Sequence, residues 1–341
     1  MEKVRVGLIG TGTWGNIHAQ TYTEYPRAAL TAVCDLSEER ARKTAALYGV
    51  SQVYTDYRKM LKDGRIDAVA IVTPDFAHRE IIEEAARAGK DIIVEKPLAT
   101  TQEDLARIAE AVTTAGVKFM VDFHNRWSPP LVAAKNDIEE GKLGDLVSGY
   151  LRLNNTLYVP LKMLAWSAAS SILWFLGSHA IDTLRYLFHD EIVRVYSVSR
   201  SGVLRAQGLD VPDIYQTILE FRNGPIATLE NHWIMPDSSP KLNDFKVNIL
   251  GSKGMINMDL THNQLIERYL SNVSDRPDVL GDPLIRGHHV GFVHESIKHF
   301  VDCVADGKEP EVTLEDGVRV SKVILAILES AQMREPVKVI Y

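Results

Sequence analysis

Six short apolar runs separated by helix-length segments fill the first third of the chain, and this alternation narrows the fold more than any other feature. The runs cover residues 4–9, 29–34, 52–54, 68–72, 91–95 and 118–122. A run such as Ala68-Val69-Ala70-Ile71-Val72 has no polar alternation, so both of its faces need covering. Helices are expected between the runs, over 14–25, 37–48, 77–88 and 101–115. Ser37 is a good N-cap, Thr101 and Asp104 form a capping pair, and Gly49, Gly89 and Gly116 stand where helices stop. Strands of this kind joined by helices specify a doubly wound α/β sheet, the Rossmann arrangement.

One connection in this series is special. Gly10-Thr11-Gly12-Thr13-Trp14-Gly15 leaves the first strand and opens the first helix. Gly10 permits the tight turn, Gly12 lets the backbone approach a pyrophosphate, and Gly15 lets helix and strand pack closely. The helix N-terminus then faces the phosphate charge. Asp35 ends the second strand, 20 residues after Gly15 (35 − 15). A carboxylate there accepts hydrogen bonds from the adenosine ribose and repels a 2′-phosphate. Leu36, Ser37 and Glu38 bring no arginine beside it, while Arg40 and Arg42 lie further along the helix. The expected cofactor is therefore NAD.

Glu95-Lys96-Pro97 closes the fifth strand. Ligands of open α/β sheets bind outside the carboxyl ends of the strands, so Lys96 projects toward the cofactor cleft. A partly desolvated lysine there has a lowered pKa and can take a hydroxyl proton. Pro97 fixes the turn, and Glu95 is expected to orient the ammonium.

After Asn125 the rhythm changes. A connecting helix is expected over 128–140, followed by strands over 146–154, 192–203, 213–221, 225–233, 244–250 and 254–260. One helix over 171–187 interrupts them, two more over 289–306 and 314–333 close the chain, and 271–288 reads as a loop. Asn223-Gly224 reads as a hairpin turn. The expected organisation is an NAD-binding Rossmann domain over 1–124. A substrate-binding and oligomerisation α+β domain with a large, mostly antiparallel open sheet follows over 125–341.

The 341 residues carry a net charge of −7 with no strongly basic segment, which argues against nucleic acid as a partner. No apolar run reaches the roughly 18 residues of a spanning helix, so no membrane partner is expected. Met1 to Arg5 lead straight into a strand without a signal-type apolar region, and the two cysteines, Cys34 and Cys303, fit a reducing compartment. A cytoplasmic location is expected, and the sequons at Asn154 and Asn272 read as coincidence. His288, His289, His294 and His299 invite a metal reading, but His294 and His299 are one residue too far apart for His-Glu-x-x-His. No cysteine or clear carboxylate partner accompanies them, so no metal is assigned.

Taken together, the glycine turn, Asp35, Thr73-Pro74 followed by His78, Glu95-Lys96-Pro97 and Gly177-Ser178-His179-Ala180-Ile181-Asp182 resemble the Gfo/Idh/MocA oxidoreductase family. The resemblance covers essentially the whole chain, including the closing stretch from Pro310 to Met333. It implies reversible oxidation of a secondary alcohol on a sugar, cyclitol or related polyol. Lys96 would position or deprotonate the hydroxyl, with His179 as the second proton-handling group. Thr73, Pro74 and His78 would lie along the cofactor, with Asn125 near the nicotinamide edge. It also implies a homodimer or homotetramer built through the second-domain sheet.

Many dehydrogenases of the family have an aspartate four residues before the histidine, where this chain has Phe175. The usual lysine–aspartate–histidine group is thus incomplete, and Asp182 is a possible participant. Arg126, Tyr158, Lys162, Trp166 and His232 are further candidates for the substrate, since aromatic faces suit sugar rings and polar tips suit hydroxyls. Two other readings stay open on the same fold: a non-catalytic NAD-binding sensor, and a glycosidase that recycles NAD through transient oxidation.

Overall fold

The computed structural model describes residues 3–261, 265–271 and 274–341, and Asn272 of the second sequon lies outside the described residues. The chain divides into two compact units, residues 1–124 with 282–318, and 125–281 with 319–341.

The first unit alternates β1 (Val4–Ile9), α1 (Thr13–Glu24), β2 (Ala28–Cys34), α2 (Glu38–Tyr48), β3 (Gln52–Tyr54), α3 (Tyr57–Leu61), β4 (Ala68–Ile71), α4 (His78–Arg87), β5 (Asp91–Val94), α5 (Gln102–Ala115) and β6 (Phe119–Val121). The strands lie in the order β3-β2-β1-β4-β5-β6 and every pair is parallel. Val6, Leu8, Val69, Ile71, Ile93 and Val94 are fully or almost fully buried, as the unbroken apolar runs require. Ser37 caps α2 by accepting the Arg40 N–H at 3.3 Å, and Thr101 caps α5 by accepting the Asp104 N–H at 3.1 Å. Gly49 and Gly116 end these helices in the left-handed conformation, at φ 71° and 64°. The short helix α3, capped by Asp56, has no counterpart in the sequence expectation because one helical turn is too brief to show periodicity.

The strand order reverses between β1 and β4, so a crevice opens at the carboxyl ends of these two strands. The Val72 N–H donates to the Ile9 carbonyl at 2.8 Å, which locks the two strand ends together. Gly10 follows at φ 97°, and a Cβ there would overlap the Val72 carbonyl.

The expected second domain is interrupted. Residues 282–318 group with the first unit because α9 (Phe292–Asp306) lays Phe292, Val293, Ile297, Phe300 and Val301 inward, packing against α1 and β1. Asp302 fixes this docking by accepting from the Tyr25 hydroxyl at 2.7 Å and the Arg27 guanidinium at 2.6 Å.

In the second unit, α6 (Pro129–Glu139) precedes β7 (Leu146–Asn155), and α7 (Ser178–Phe188) precedes β8 (Ile192–Arg200). The turn α8 (Val203–Ala206), β9 (Ile214–Phe221), β10 (Ile226–His232), β11 (Asn243–Gly251) and β12 (Met255–Asp259) follow. The sheet order is β12-β11-β7-β10-β9-β8, extended at the β8 edge by the terminal strand Val337–Lys338. All pairs are antiparallel except β7 with β10. Gly224, at φ 108°, turns the hairpin between β9 and β10. The strand expected over 192–203 stops at Arg200, because Asp213 accepts the Val203 and Leu204 N–H groups at 2.9 and 2.8 Å and starts α8. The helix expected over 171–187 begins as a π-helical turn, Leu173–Gly177, before α7. The segment expected as a loop over 271–288 contributes two small pairings, Arg268–Tyr269 with Ser274–Asp275 and Leu284–Ile285 with His288–His289.

One face of the second sheet buries Leu151, Leu219, Leu229, Val247 and Ile249. The opposite face carries exposed Tyr196, Val198, Ile218, Ile226, Leu250 and Met255. Arg152–Asp244 and Arg194–Glu220 ion pairs, both 2.7 Å, also lie on that face.

Candidate active site

The carboxyl ends of β1, β2, β4 and β5 bring together Gly10, Thr11, Gly12, Thr13, Trp14, Gly15, Asp35, Thr73, Pro74, Glu95 and Lys96. The glycines differ in what demands them. A Cβ on Gly15 would overlap the Gly10 carbonyl, so the turn itself requires that glycine. A Cβ on Gly12 would meet nothing within 4 Å, so internal packing gives no reason for its absence.

Helix α1 starts at this exposed turn with no side-chain cap, unlike α2, α3 and α5, and with no acidic residue in its first turn. Its leading N–H groups and the positive end of its dipole are left to an anion. Beside them, the buried Thr73 hydroxyl has no hydrogen-bond partner among the described residues. An open glycine, an uncapped helix and an orphaned hydroxyl fit a pyrophosphate-bearing cofactor.

Asp35 is buried and accepts four hydrogen bonds. Thr11 donates its N–H at 2.9 Å and its hydroxyl at 3.0 Å, Ser37 donates its N–H at 2.8 Å, and Arg40 donates at 2.7 Å. Burial pushes the carboxyl pKa up, but these donors, Arg40 first, outweigh it and hold the pKa below the ordinary value. Leu36, Ser37 and Glu38 bring no arginine to Asp35, but the first turn of α2 returns Arg40 to the carboxylate while leaving its side chain 60% exposed.

His78 is fully buried, with Nδ1 2.9 Å from the Pro97 carbonyl and Nε2 3.0 Å from the Thr73 carbonyl. It therefore ties the loop after β4 to the loop after β5, and acts on the crevice through Thr73 and Pro97. The Lys96-Pro97 peptide bond is cis.

Behind Lys96 lies a buried polar cluster that sequence reasoning did not identify. Glu95 Oε1 is 3.2 Å from His18 Nε2, and His18 Nδ1 is 3.1 Å from the Tyr22 hydroxyl. Asp122 Oδ2 lies 3.7 Å from His18 Nε2, and Ser296 donates to Asp122 Oδ1. Burial lowers the His18 pKa to about 4, so the imidazole is neutral near pH 7 and can pass one hydrogen bond from Tyr22 to Glu95. Burial raises both carboxyl pKa values, and the charge of Glu95 raises that of Asp122 further. Burial also lowers the Lys96 pKa, opposed by the charges of Glu95, Asp75 and Asp122. Glu95 thus faces into this cluster as well as acting on Lys96 through its charge. A sequence signal existed, since Asp35, Glu95 and Asp122 each follow an apolar strand, but nothing in the spacing pointed to His18.

The second unit carries Asn125, Arg126, Tyr158, Trp166, His179 and His232. His179 is buried on α7, and Asn125 is buried in the turn His124–Trp127. Asp182, fully buried, accepts from both ends of the Arg126 guanidinium at 3.0 and 2.6 Å. Removing one partner of such a pair costs about 3–5 kcal/mol, so Arg126 is anchored to α7. Phe175 sits in the π-helical turn with its ring 6.3 Å from Trp166 and 6.1 Å from Trp233. The i→i+5 bond from the Ser178 N–H to the Leu173 carbonyl alters the face relationship that a spacing of four has in a regular helix. Tyr158 is 45% exposed. His232 shares the open sheet face with Glu230, 3.9 Å away, whereas Asn231 faces Gly177 at the end of the π-helical turn that leads into α7. The structure therefore does not bring His232 to the sheet face on which α7 and His179 lie.

A parallel sheet with a phosphate-ready switch point and a half-buried lysine beside it defines a dinucleotide-binding oxidoreductase. The chain belongs to the Gfo/Idh/MocA oxidoreductase family: residues 4–123 match its NAD-binding Rossmann-fold domain and residues 135–339 its C-terminal alpha/beta domain. It is 31% identical to scyllo-inositol 2-dehydrogenase (NAD(+)) of Bacillus subtilis over 99% of this chain and 96% of that one. It is 28% identical to levoglucosan dehydrogenase of Pseudarthrobacter phenanthrenivorans, over 97% of each chain. A solved levoglucosan dehydrogenase in complex with NADH superposes with a TM-score of 0.84 at 26% identity, over 99% of this chain and 100% of that one. No helix among the described residues is long and apolar enough to cross a membrane.

The two glycines separate fold from binding. Gly12→Ala should leave the urea midpoint near that of the unaltered protein while weakening NAD binding at least about tenfold, a loss of about 1.4 kcal/mol. Gly15→Ala should lower stability by more than about 1 kcal/mol, because backbone atoms must shift to admit its Cβ. Equal effects of both on stability would contradict this division.

The buried carboxyls set a pH dependence of stability. A carboxyl whose pKa is raised on folding contributes fully below its unfolded value, 4.5 for Glu95, and loses that contribution as pH rises through about 7. Glu95→Gln removes this titration, so its melting temperature relative to the unaltered protein should rise between pH 5 and pH 8. A difference that stays flat across that range would refute the buried-acid description.

Proposed function

We propose that the protein is an NAD-dependent dehydrogenase acting on a secondary alcohol of a sugar, cyclitol or related polyol, with Lys96 and His179 handling the hydroxyl proton. The observation that carries this reading is Lys96, a half-buried lysine at the carboxyl end of β5 whose pKa is lowered by desolvation. The relatives named as inositol and levoglucosan dehydrogenases support the substrate class.

Bound NAD supplies the hydride acceptor. Asp35, Thr11 and the α1 N-terminus would hold its adenosine and pyrophosphate, with Thr73, Pro74 and His78 along the cofactor and Asn125 near the nicotinamide edge. Lys96 would hold the substrate oxygen and accept its proton, since a desolvated ammonium gives up its own proton more readily than an exposed one. His179 would be the second proton carrier. Phe175 cannot orient an imidazole by hydrogen bonding, so the proton path in this chain runs without a carboxylate at that position. Trp166 and Tyr158 are the proposed substrate contacts in the second unit. Arg126 would act through its pairing with Asp182. The apolar open face of the second sheet supports self-association as a dimer or tetramer.

NAD and a panel of inositols, aldoses, sugar acids and glycosides, followed by NADH absorbance and product release, tests the reading. NADH should form with one class. Lys96→Ala should lower kcat/KM by about 100-fold or more and His179→Ala by about 100-fold, the scale of a lost acid–base group. Glycoside cleavage without net NADH would replace the dehydrogenase with the NAD-recycling reaction, and silence across the panel with NAD binding intact would indicate a sensor.

Light scattering should give a dimer or tetramer for the unaltered protein and a smaller species for Ile218→Lys. A monomer at all concentrations would exclude assembly through this face.

A further inference from the structure

A second group of converging side chains lies in the first unit. Asp282, His289 and His294 each offer one donor atom, and these atoms lie within 4.8 Å of one another. His289 Nδ1 is 2.6 Å and His294 Nε2 is 2.8 Å from the same oxygen, Asp282 Oδ1. Asp282 supplies the carboxylate that the spacing of the histidines does not reveal, because the hairpin of Leu284–Ile285 with His288–His289 folds it back toward α9.

The His294 side chain is 1% exposed, and its Nδ1 is 2.7 Å from the Thr21 hydroxyl on α1. That hydroxyl also lies 2.9 Å from the Ile17 carbonyl. A carbonyl cannot donate, so the Thr21 proton occupies that contact, and the hydroxyl oxygen accepts from His294 Nδ1–H. His294 Nε2 then meets Asp282 Oδ1 at 2.8 Å, a contact that takes either a proton or a cation between the two atoms.

We propose that His289, His294 and Asp282 bind a divalent transition-metal ion of the zinc class. Two imidazoles and one carboxylate are a donor set suited to such an ion, with a fourth position for water. Tetrahedral bonds of about 2.1 Å would separate the donors by about 3.4 Å, so the closely gathered atoms need only spread slightly. Asp282 and His289 are each 30% exposed and can make that adjustment. Their site opens on a cavity of about 200 Å³ also lined by Glu24, Tyr25, His288 and Lys298, with room for the metal-bound water. Lys298 is paired with Glu295 at 2.8 Å. Thr21 is the outer partner that fixes the tautomer of His294, a role typical of metal-bound histidines. The ion would join the 282–291 segment to α9 and, through Thr21, to α1. This assignment is independent of the dehydrogenase reading.

The test uses full-length protein stripped with chelator, titrated with ZnCl2 by calorimetry and with CoCl2 by visible absorption. One ion per chain should bind, and cobalt should give the intense visible bands of tetrahedral coordination. His289→Ala and Asp282→Asn, both at part-exposed positions, should abolish that binding, and His288→Ala should leave it unchanged. Thr21→Val should weaken it by about 10–100-fold, the usual effect of losing an outer partner. No saturable binding by the unaltered protein would overturn the proposal. So would binding that survives His289→Ala and Asp282→Asn, or nitrogen NMR showing His294 doubly protonated at pH 7 in metal-exposed protein. In the last case a proton fills the place assigned to the ion.

Discussion

The close approach of the ends of β1 and β4 is the constraint on which the first unit depends. The Val72 N–H bonded to the Ile9 carbonyl leaves no volume for a side chain at Gly10, and the turn that follows leaves none at Gly15. With both positions fixed, α1 has to start where its amides face outward and uncapped. The binding capacity of the crevice is thus a by-product of tight backbone packing. The same strand ends present Thr73 and Lys96, and His78 holds their loops at a set spacing.

Polar burial gives the unit a second layer of specification. His18, Glu95 and Asp122 are all buried within hydrogen-bonding or near-bonding range, which an apolar core would not tolerate without satisfied partners. Tyr22 on α1 partners His18 and Ser296 on α9 partners Asp122 Oδ1, while Asp122 Oδ2 has no hydrogen-bond partner among the described residues. The late segment containing α9 therefore closes a polar network begun by the first helix and the last strand of the Rossmann sheet. Segment 282–318 belongs with the first unit for this reason as well as for its apolar stripe.

The fold of the first unit was legible because its signals are local: unbroken apolar strands, Ser37 and Thr101 as caps, and Gly49 and Gly116 as stops. The glycine turn and Asp35 were legible for the same reason. What escaped depends on contacts distant in sequence. Arg40 reaches Asp35 only after α2 makes its first turn, and Asp282 meets His294 only after the 284–289 hairpin forms. The parallel pairing of β7 with β10 and the edge strand Val337–Lys338 are choices of tertiary topology that no local pattern encodes. The π-helical turn before α7 leaves the identity of Phe175 readable but not its place between Trp166 and Trp233.

If Asp35 holds the adenosine end of NAD as proposed, its hydrogen bonding has a consequence for docking. A carboxylate has room for about four hydrogen bonds, and this one already accepts four. A ribose hydroxyl cannot simply add to it; a resident donor must leave. Arg40, held by one end and mostly in water, is the donor that gives way at least cost. In the proposed binding mode, docking would be an exchange of partners, in which the arginine returns to solvent as the sugar arrives. Its net gain would be the difference between two hydrogen bonds.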